Sequence, residues 1–173
     1  MTPPHPRDDP ERPLAALLVP DLVALLDEEP GSVALETEEL HPRDLADVAE
    51  AMPEDRVVQF LTALPPARAA DVLEYLDEEL RSLVLQAMTA PQAAAVVTEM
   101  TPDDRADALE ELAEESEARA EAILDALPEA QRVETEALLA YDPDSAGGRM
   151  TTEFVSAPET ITVEAALGAV RAM

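Results

Sequence analysis

The sequence has no cysteine and no lysine, and very little glycine or aromatic side chain. Without cysteine there are no disulfides and no thiolate metal sites, and the redox compartment stays open. With aromatics at 2%, a core must be built from Leu, Val, Ala and Met, a composition that favours helices over sheets. All 11 basic residues are arginine, set against 39 acids, for a formal net charge of -28. Such a chain repels nucleic acid and anionic lipid, both of which are held through basic contacts. It attracts cations, or it simply carries a well-solvated acidic surface. No signal peptide is visible. The most apolar early run, Leu14 to Leu26, is broken by Pro20 and Asp21 and falls short of the roughly 20 residues a bilayer requires. The expectation is a soluble chain, and 173 residues allow one ordinary domain or one domain plus a fragment. No nucleophile is paired with a base and no glycine loop could cradle phosphate, so the sequence does not read as an enzyme.

What is present is a repeat. From His41 to Leu112 the chain divides without gaps into six units of twelve: HPRDLADVAEAM, PEDRVVQFLTAL, PPARAADVLEYL, DEELRSLVLQAM, TAPQAAAVVTEM and TPDDRADALEEL. The eighth, ninth and twelfth places are apolar in every unit, from Val48, Ala49 and Met52 to Ala108, Leu109 and Leu112. Apolar residues at i, i+1 and i+4 mark one face of a short helix. The units open on His-Pro, Pro-Glu, Pro-Pro, Asp-Glu, Thr-Ala or Thr-Pro, all helix-start chemistries. Units that recur at a fixed period and cannot bury their own stripe predict a stacked helical solenoid.

Residues 1 to 13 are rich in Pro and charge and are expected to be a disordered tail. Leu14 to Leu26 reads as an apolar helix, broken or restarted at Pro20, that caps the solenoid. Glu29-Pro30-Gly31 is a stop, and Val33 to Leu40 is either a second short helix or a linker. After the repeats, Glu114 to Leu127 is a longer helix with Ala118, Ala122, Ile123 and Leu127 as its expected inner face. Pro128 restarts the chain, and Glu129 to Tyr141 is a last helix with Val133, Ala137 and Leu138 inward. Residues 142–149 form a turn-rich connector that holds Gly147 and Gly148. In residues 150–173, Phe154-Val155 and Thr160-Ile161-Thr162-Val163 read as β-like and Glu164 to Ala172 as helical, the opening of a different, incomplete α/β domain.

Several of these segments carry a known pattern. His41-Pro42-x-Asp44, the Arg68-Ala69-Ala70-Asp71-Val72-Leu73 run, Asp103-Asp104-x-Ala106-Asp107-Ala108-Leu109 and Tyr141-x-x-Asp144-x-Ala146-Gly147-Gly148-x-Met150-Thr151 resemble the MgtE family of magnesium channels and transporters. The stretch from Met150 to Val170 is similar to the start of a CBS domain. The resemblance implies an all-α N domain, a right-handed superhelix of short helices over 14–141, followed by CBS domains, a connecting helix and a transmembrane pore. The pore is not in this chain, so the resemblance implies a sensor portion on the cytoplasmic side of the membrane, working as a homodimer in the full protein. It also implies that Mg²⁺ sits between the N domain and the CBS domains. The matching positions are Asp71, Asp103, Asp107 and the backbone of Gly148. Asp71 stands where Glu is more usual, which keeps the charge and shortens the reach.

The residues themselves permit this reading without requiring it. Mg²⁺ prefers oxygen ligands and keeps several waters, so one or two carboxylates from each of two surfaces suffice. Asp103 and Asp107 are four apart and share a helix face, where a divalent ion would relieve their repulsion. Asp47, Asp71 and Asp107 all hold the seventh place of their units, beside the apolar stripe. Against this, Asp103 and Asp104 suit the N-terminus of their helix, and Asp71 and Asp107 could be plain solvated acids. Asp142-x-Asp144-x-Ala146-Gly147 followed by Glu153 matches part of an EF-hand, but Ala146 offers no ligand. His41 before Pro42 reads as a structural residue of a helix start. Two other classes remain. One is a protein-interaction scaffold, since short-helix solenoids resembling this one occur in the flagellar rotor switch protein. The other is a soluble CBS-containing regulator without a pore.

Overall fold

Each of the first five twelve-residue units folds as one short helix and a turn, and the sixth opens a longer helix. The computed structural model describes residues 13–142, 145–147, 150, 158 and 160–171. The helices are α1 (Pro13–Glu28), α2 (Val33–Glu36, after a 3-10 turn at Pro30–Ser32), α3 (Pro42–Ala51), α4 (Glu54–Ala63), α5 (Pro66–Leu73), α6 (Glu78–Ala87), α7 (Ala90–Thr98), α8 (Pro102–Ala126), α9 (Glu129–Leu139) and α10 (Val163–Arg171). Among the described residues there is no strand.

The starts are where the sequence puts them, and for local reasons. Asp77 accepts a hydrogen bond from the Leu80 N–H at 2.8 Å, and His41 Nδ1 accepts from the Arg43 N–H at 3.2 Å. Thr89 and Gln92 form a reciprocal capping box. Proline stands in the first turn of α3, α5, α7 and α8, where its missing N–H costs nothing. Three of the helices stop at the twelfth place: Met52, Leu64 and Met88 are extended, yet their side chains are buried. An apolar anchor therefore sits inside each of these turns. Every eighth-, ninth- and twelfth-place residue of every unit is buried, from Val48, Ala49 and Met52 to Ala108, Leu109 and Leu112.

Alternate helices stack. α3 packs on α1 and α5, and α5 packs on α7; α4 packs on α1, α2 and α6, and α6 packs on α8. α8 also packs on α7, which ties the two rows together, and α9 covers α8. In so acidic a chain, the arginines serve as cross-links between these rows. Arg56 meets both oxygens of Asp27 at 2.7 and 3.0 Å. Arg81 grips Glu111 with two hydrogen bonds of 2.8 and 2.5 Å. Arg119 donates to the carbonyls of Leu85 and Met88, which the end of α6 leaves without helical partners. Arg68 does the same for Leu40.

Several expectations need correction. α1 begins at Pro13 and runs unbroken through Pro20, which is exposed. The burial of Ala15, Leu22 and Leu26 on one side of α1 offsets the hydrogen bond that Pro20 cannot make. Of the two readings of Val33 to Leu40, the short helix is the one found: α2, followed by a turn. The sixth unit does not end at Leu112 but continues into the next helix, kinked where Ser116 leaves the helical region (φ -154°, ψ 87°). The kink resets the register, so Ala120, Ile123 and Leu127 face inward while Ala118 and Ala122 are exposed. On α9, Val133 and Ala137 are exposed and Leu138 is half-buried. The inward residue is Thr135, because Arg105 is buried at 2% exposure and reaches Thr135 Oγ1 at 2.8 Å and Glu134 at 2.7 Å. Thr160–Val163 is not a strand: Thr162 Oγ1 accepts from the Ala165 N–H at 3.2 Å and starts α10 at Val163. Residues 1–12 of the expected tail and Phe154-Val155 lie outside the described residues.

Four substitutions test this packing by urea denaturation. Leu73→Ala, at a fully buried ninth place, should cost about 2–5 kcal/mol, whereas Leu35→Ala, at 69% exposure, should stay within about 0.5 kcal/mol. Arg105→Ala should cost about 2–3 kcal/mol, because two charge-assisted hydrogen bonds and a buried side chain are lost. Glu134→Gln should cost less than about 1 kcal/mol, since that side chain is half-exposed. Equal losses for Arg105→Ala and Glu134→Gln would remove the argument for a buried cross-link.

Candidate functional site

Acids outnumber arginines by 39 to 11, and a group of them gathers where α5 ends and α8 begins. Thr101 caps α8. Its Oγ1 accepts from the Asp104 N–H at 3.3 Å and its hydroxyl pairs with Asp104 Oδ2 at 2.6 Å. Asp104 therefore does helix-start work, as its position in the sequence suggests. Asp103 is beside it in the first turn and partly buried, and Asp107 follows one turn later, exposed. Asp71 is exposed on the last turn of α5. The seventh-place acid of the first unit, Asp47, is half-buried on α3. Gly148 lies outside the described residues.

Asp103 and Asp107 line one small pocket of about 20 Å³, room for about a single water-sized occupant. Its far wall is the end of α9, Leu138 and Leu139, and the chain that follows it, Tyr141, Gly147 and Met150. The connector thus folds back onto the face that carries these two acids. Asp71 does not reach this pocket. It belongs to the same acidic edge through Glu74, which feels the charges of Asp104, Asp71 and Asp103.

The electrostatics of this edge are those of crowded carboxylates. Burial raises the Glu74 pKa, and the like charges of Asp104, Asp71 and Asp103 raise it further. Asp107 keeps contact with solvent but loses part of its hydration to the neighbouring surface, which raises its pKa. Asp104 and Asp103 add to the rise, and Arg81 opposes it. Glu110 is raised by burial and then by Asp107, Glu114, Asp142 and Glu111. Glu74 and Glu110 were not singled out in the sequence. The signal was there, since each stands three residues beyond a candidate acid on the same helical face. A second acidic groove, of about 490 Å³, runs between α6 and α8 and is lined by Asp77, Glu78, Glu79, Glu111, Glu114 and Glu115. His41 faces neither: it caps α3 and sets its ring edge against Tyr75, with ring centres 5.9 Å apart.

The donor set is hard oxygen, which suits Mg²⁺ or Ca²⁺ rather than a transition metal. Among the described residues, however, no three His, Cys, Asp or Glu side chains converge closely enough to hold a metal by themselves. Any ion here would complete its shell with water, a backbone carbonyl or a second surface.

The sequence of this edge and the solenoid behind it match a known family model, the MgtE intracellular N domain, over residues 40–144. This chain belongs to that family. The magnesium transporter MgtE of Thermus thermophilus is 37% identical over 130 residues, covering 75% of this chain and 29% of that protein. The magnesium transporter MgtE of Bacillus subtilis is 28% identical over 130 residues, covering 75% and 28%. The chain spans less than a third of the length of these curated relatives. The crystal structure of the cytosolic domain of the Mg²⁺ channel MgtE in complex with ATP has the same fold at a TM-score of 0.75 and 34% identity, over 92% of this chain and 63% of that one. The soluble part of a magnesium transporter shares the fold at a TM-score of 0.74 and 24% identity, over 91% and 62%. The all-α solenoid expected for the MgtE N domain is the one observed. Among the described residues no helix is long and apolar enough to cross a membrane.

The crowded carboxylates set a pH dependence. A carboxyl whose folded pKa is raised binds its proton more tightly folded than unfolded. Its ionisation therefore destabilises the fold at neutral pH, and stability returns as pH falls towards the raised value. The thermal midpoint, followed by circular dichroism, should rise between about pH 7 and pH 5. Glu74→Gln should raise the midpoint at neutral pH and flatten the rise. A Glu74→Gln profile that runs parallel to and below the unsubstituted one would contradict this account.

Proposed function

We propose that this chain is the cytosolic Mg²⁺-sensing regulatory domain of a magnesium transporter or channel. The observation that carries the reading is the acidic edge, where Asp103 and Asp107 face the folded-back connector and Asp71 is coupled through Glu74. Family membership supplies the ion: the relatives are named magnesium transporters and a Mg²⁺ channel. In this reading residues 14–141 are the N domain, 142–149 the connector and 150–173 the opening of a CBS domain. Asp71, Asp103, Asp107 and the backbone carbonyl of Gly148 are the contacts to the ion.

The chemistry follows from charge. At low Mg²⁺ the carboxylates of α5 and α8 repel any acidic surface brought against them, and the solenoid stays apart from its CBS partners. Bound Mg²⁺ supplies positive charge between the two surfaces. The assembled state then gains stability because only there are both halves of each site present, and linkage to the pore favours closure. The full protein would act as a homodimer on the cytoplasmic side of the membrane, with its pore in a part beyond this chain. The isolated chain should bind weakly, because half of each coordination shell comes from elsewhere.

The test is a residue-resolved NMR titration of this chain with MgCl₂, matched in ionic strength by a monovalent salt. Saturable shifts confined to Asp71, Glu74, Asp103, Asp107 and the connector are expected. The double variant Asp103→Asn with Asp107→Asn should lose saturation while keeping its fold by circular dichroism. Diffuse shifts that track ionic strength alone would mean that the acids only screen charge, and would return the chain to the scaffold class.

A further inference from the structure

The connector passes directly beneath an aromatic ring. A Cβ placed on Gly147 would stand 2.5 Å from Tyr141 Cδ1, 2.9 Å from Cγ and 3.0 Å from Cε1. No side chain fits there unless the ring leaves. Cγ is the root of the ring, so it leaves only by turning about χ1. The backbone of Tyr141 is held at the end of α9, where its N–H donates to the Leu138 carbonyl at 3.0 Å. Between ring and glycine the chain reverses, with the Ser145 N–H donating to the Asp142 carbonyl at 2.8 Å. Ring and glycine both line the pocket that holds Asp103 and Asp107. The ring itself is 47% exposed, so it does not belong to the solenoid core.

We propose that Tyr141 and Gly147 form a clasp that holds the backbone at Gly147 beside Asp103 and Asp107 of α8, with Tyr141 as a positioning residue for cation binding. This rests on the Mg²⁺ reading above. Mg²⁺ demands near-octahedral geometry at short range. A loop carbonyl meets that demand readily only when the loop is already ordered; otherwise the ordering of the loop lowers affinity at the moment of binding. A flat ring over a bare Cα is a contact that orders the loop without adding a ligand. It also explains why the residue before Gly148 is itself glycine.

The experiment uses this chain with ¹⁵N-labelled glycine, titrated with MgCl₂ against matched monovalent salt, in four variants beside the unsubstituted chain. Tyr141→Phe keeps the ring and should keep the Mg²⁺ midpoint. Tyr141→Ala and Gly147→Ala should each weaken binding about fivefold or more while the melting temperature holds. The double variant Tyr141→Ala with Gly147→Ala should be no weaker than Tyr141→Ala alone, because the ring that clashes is gone. A purely structural role would move the melting temperature and leave the Mg²⁺ midpoint in place. If the unsubstituted chain saturates and Tyr141→Ala saturates at the same midpoint, the clasp is overturned and the Mg²⁺ reading stands. Loss of binding in Tyr141→Phe would overturn the ring-on-glycine account in favour of the hydroxyl. If the unsubstituted chain never saturates, the Mg²⁺ reading fails and the positioning role fails with it.

Discussion

A ten-residue helix such as α3, α4 or α6 cannot keep its own apolar stripe dry. Isolated helices of that length are marginal in water, and their stability comes from what they pack against. Everything else in this structure depends on that dependence. Each unit presents its eighth- and ninth-place residues to neighbours on both sides, and its twelfth-place residue pins the turn. The result is a solenoid whose inner seam is continuous, from Leu45 and Val48 to Leu112 and Ile123. Leu22 and Leu26 of α1 close one end of that seam and Leu127 lies near the other.

Charge is the second constraint, and it shapes what the surface can do. With 11 bases against 39 acids, every cation committed to a cross-link is one fewer to neutralise an edge. Arg56, Arg68, Arg81, Arg105 and Arg119 are all drawn into contacts between elements 28 to 34 residues apart. The edge formed by α5 and α8 therefore keeps its carboxylates crowded, with Arg81 as an opposing charge that is itself held by Glu111. That state is unfavourable in proportion to its charge. Protons or a divalent cation relieve it, and a ligand that relieves strain in one state and not another is what regulation requires. The second acidic groove, between α6 and α8, shares Glu111 with that cross-link.

The connector shows how a few residues after the last solenoid helix can matter to that edge. Leu138, Tyr141 and Gly147 bring the chain back onto α8 beside Asp103 and Asp107. The approach is close enough that only glycine fits under the ring.

The fold was legible in the sequence because its signal is local and repeated. A twelve-residue period, helix-start residues at fixed places and three apolar positions per unit are enough to set each helix and the face it buries. The burial of Val72, Leu73 and Leu76, or of Val84, Leu85 and Met88, follows from spacing alone. The reading failed where the period stops. Ser116 kinks α8 and turns Ala118 and Ala122 outward. Arg105 claims Thr135 and so rotates Val133 away from the core. Neither could be read locally, because a kink and a side chain reaching 30 residues along the chain are decided by packing between elements. The site divides in the same way. The sequence by itself determined which residues are acidic and that Asp103 and Asp107 share a face, since helical periodicity alone places i and i+4 together. Only the tertiary structure decided that Asp71 and Glu74 come beside Asp103 and Asp104 of α8 and that Gly147 folds under Tyr141 near them, because contacts between separate helices depend on how the stripes stack and no spacing along the chain encodes that.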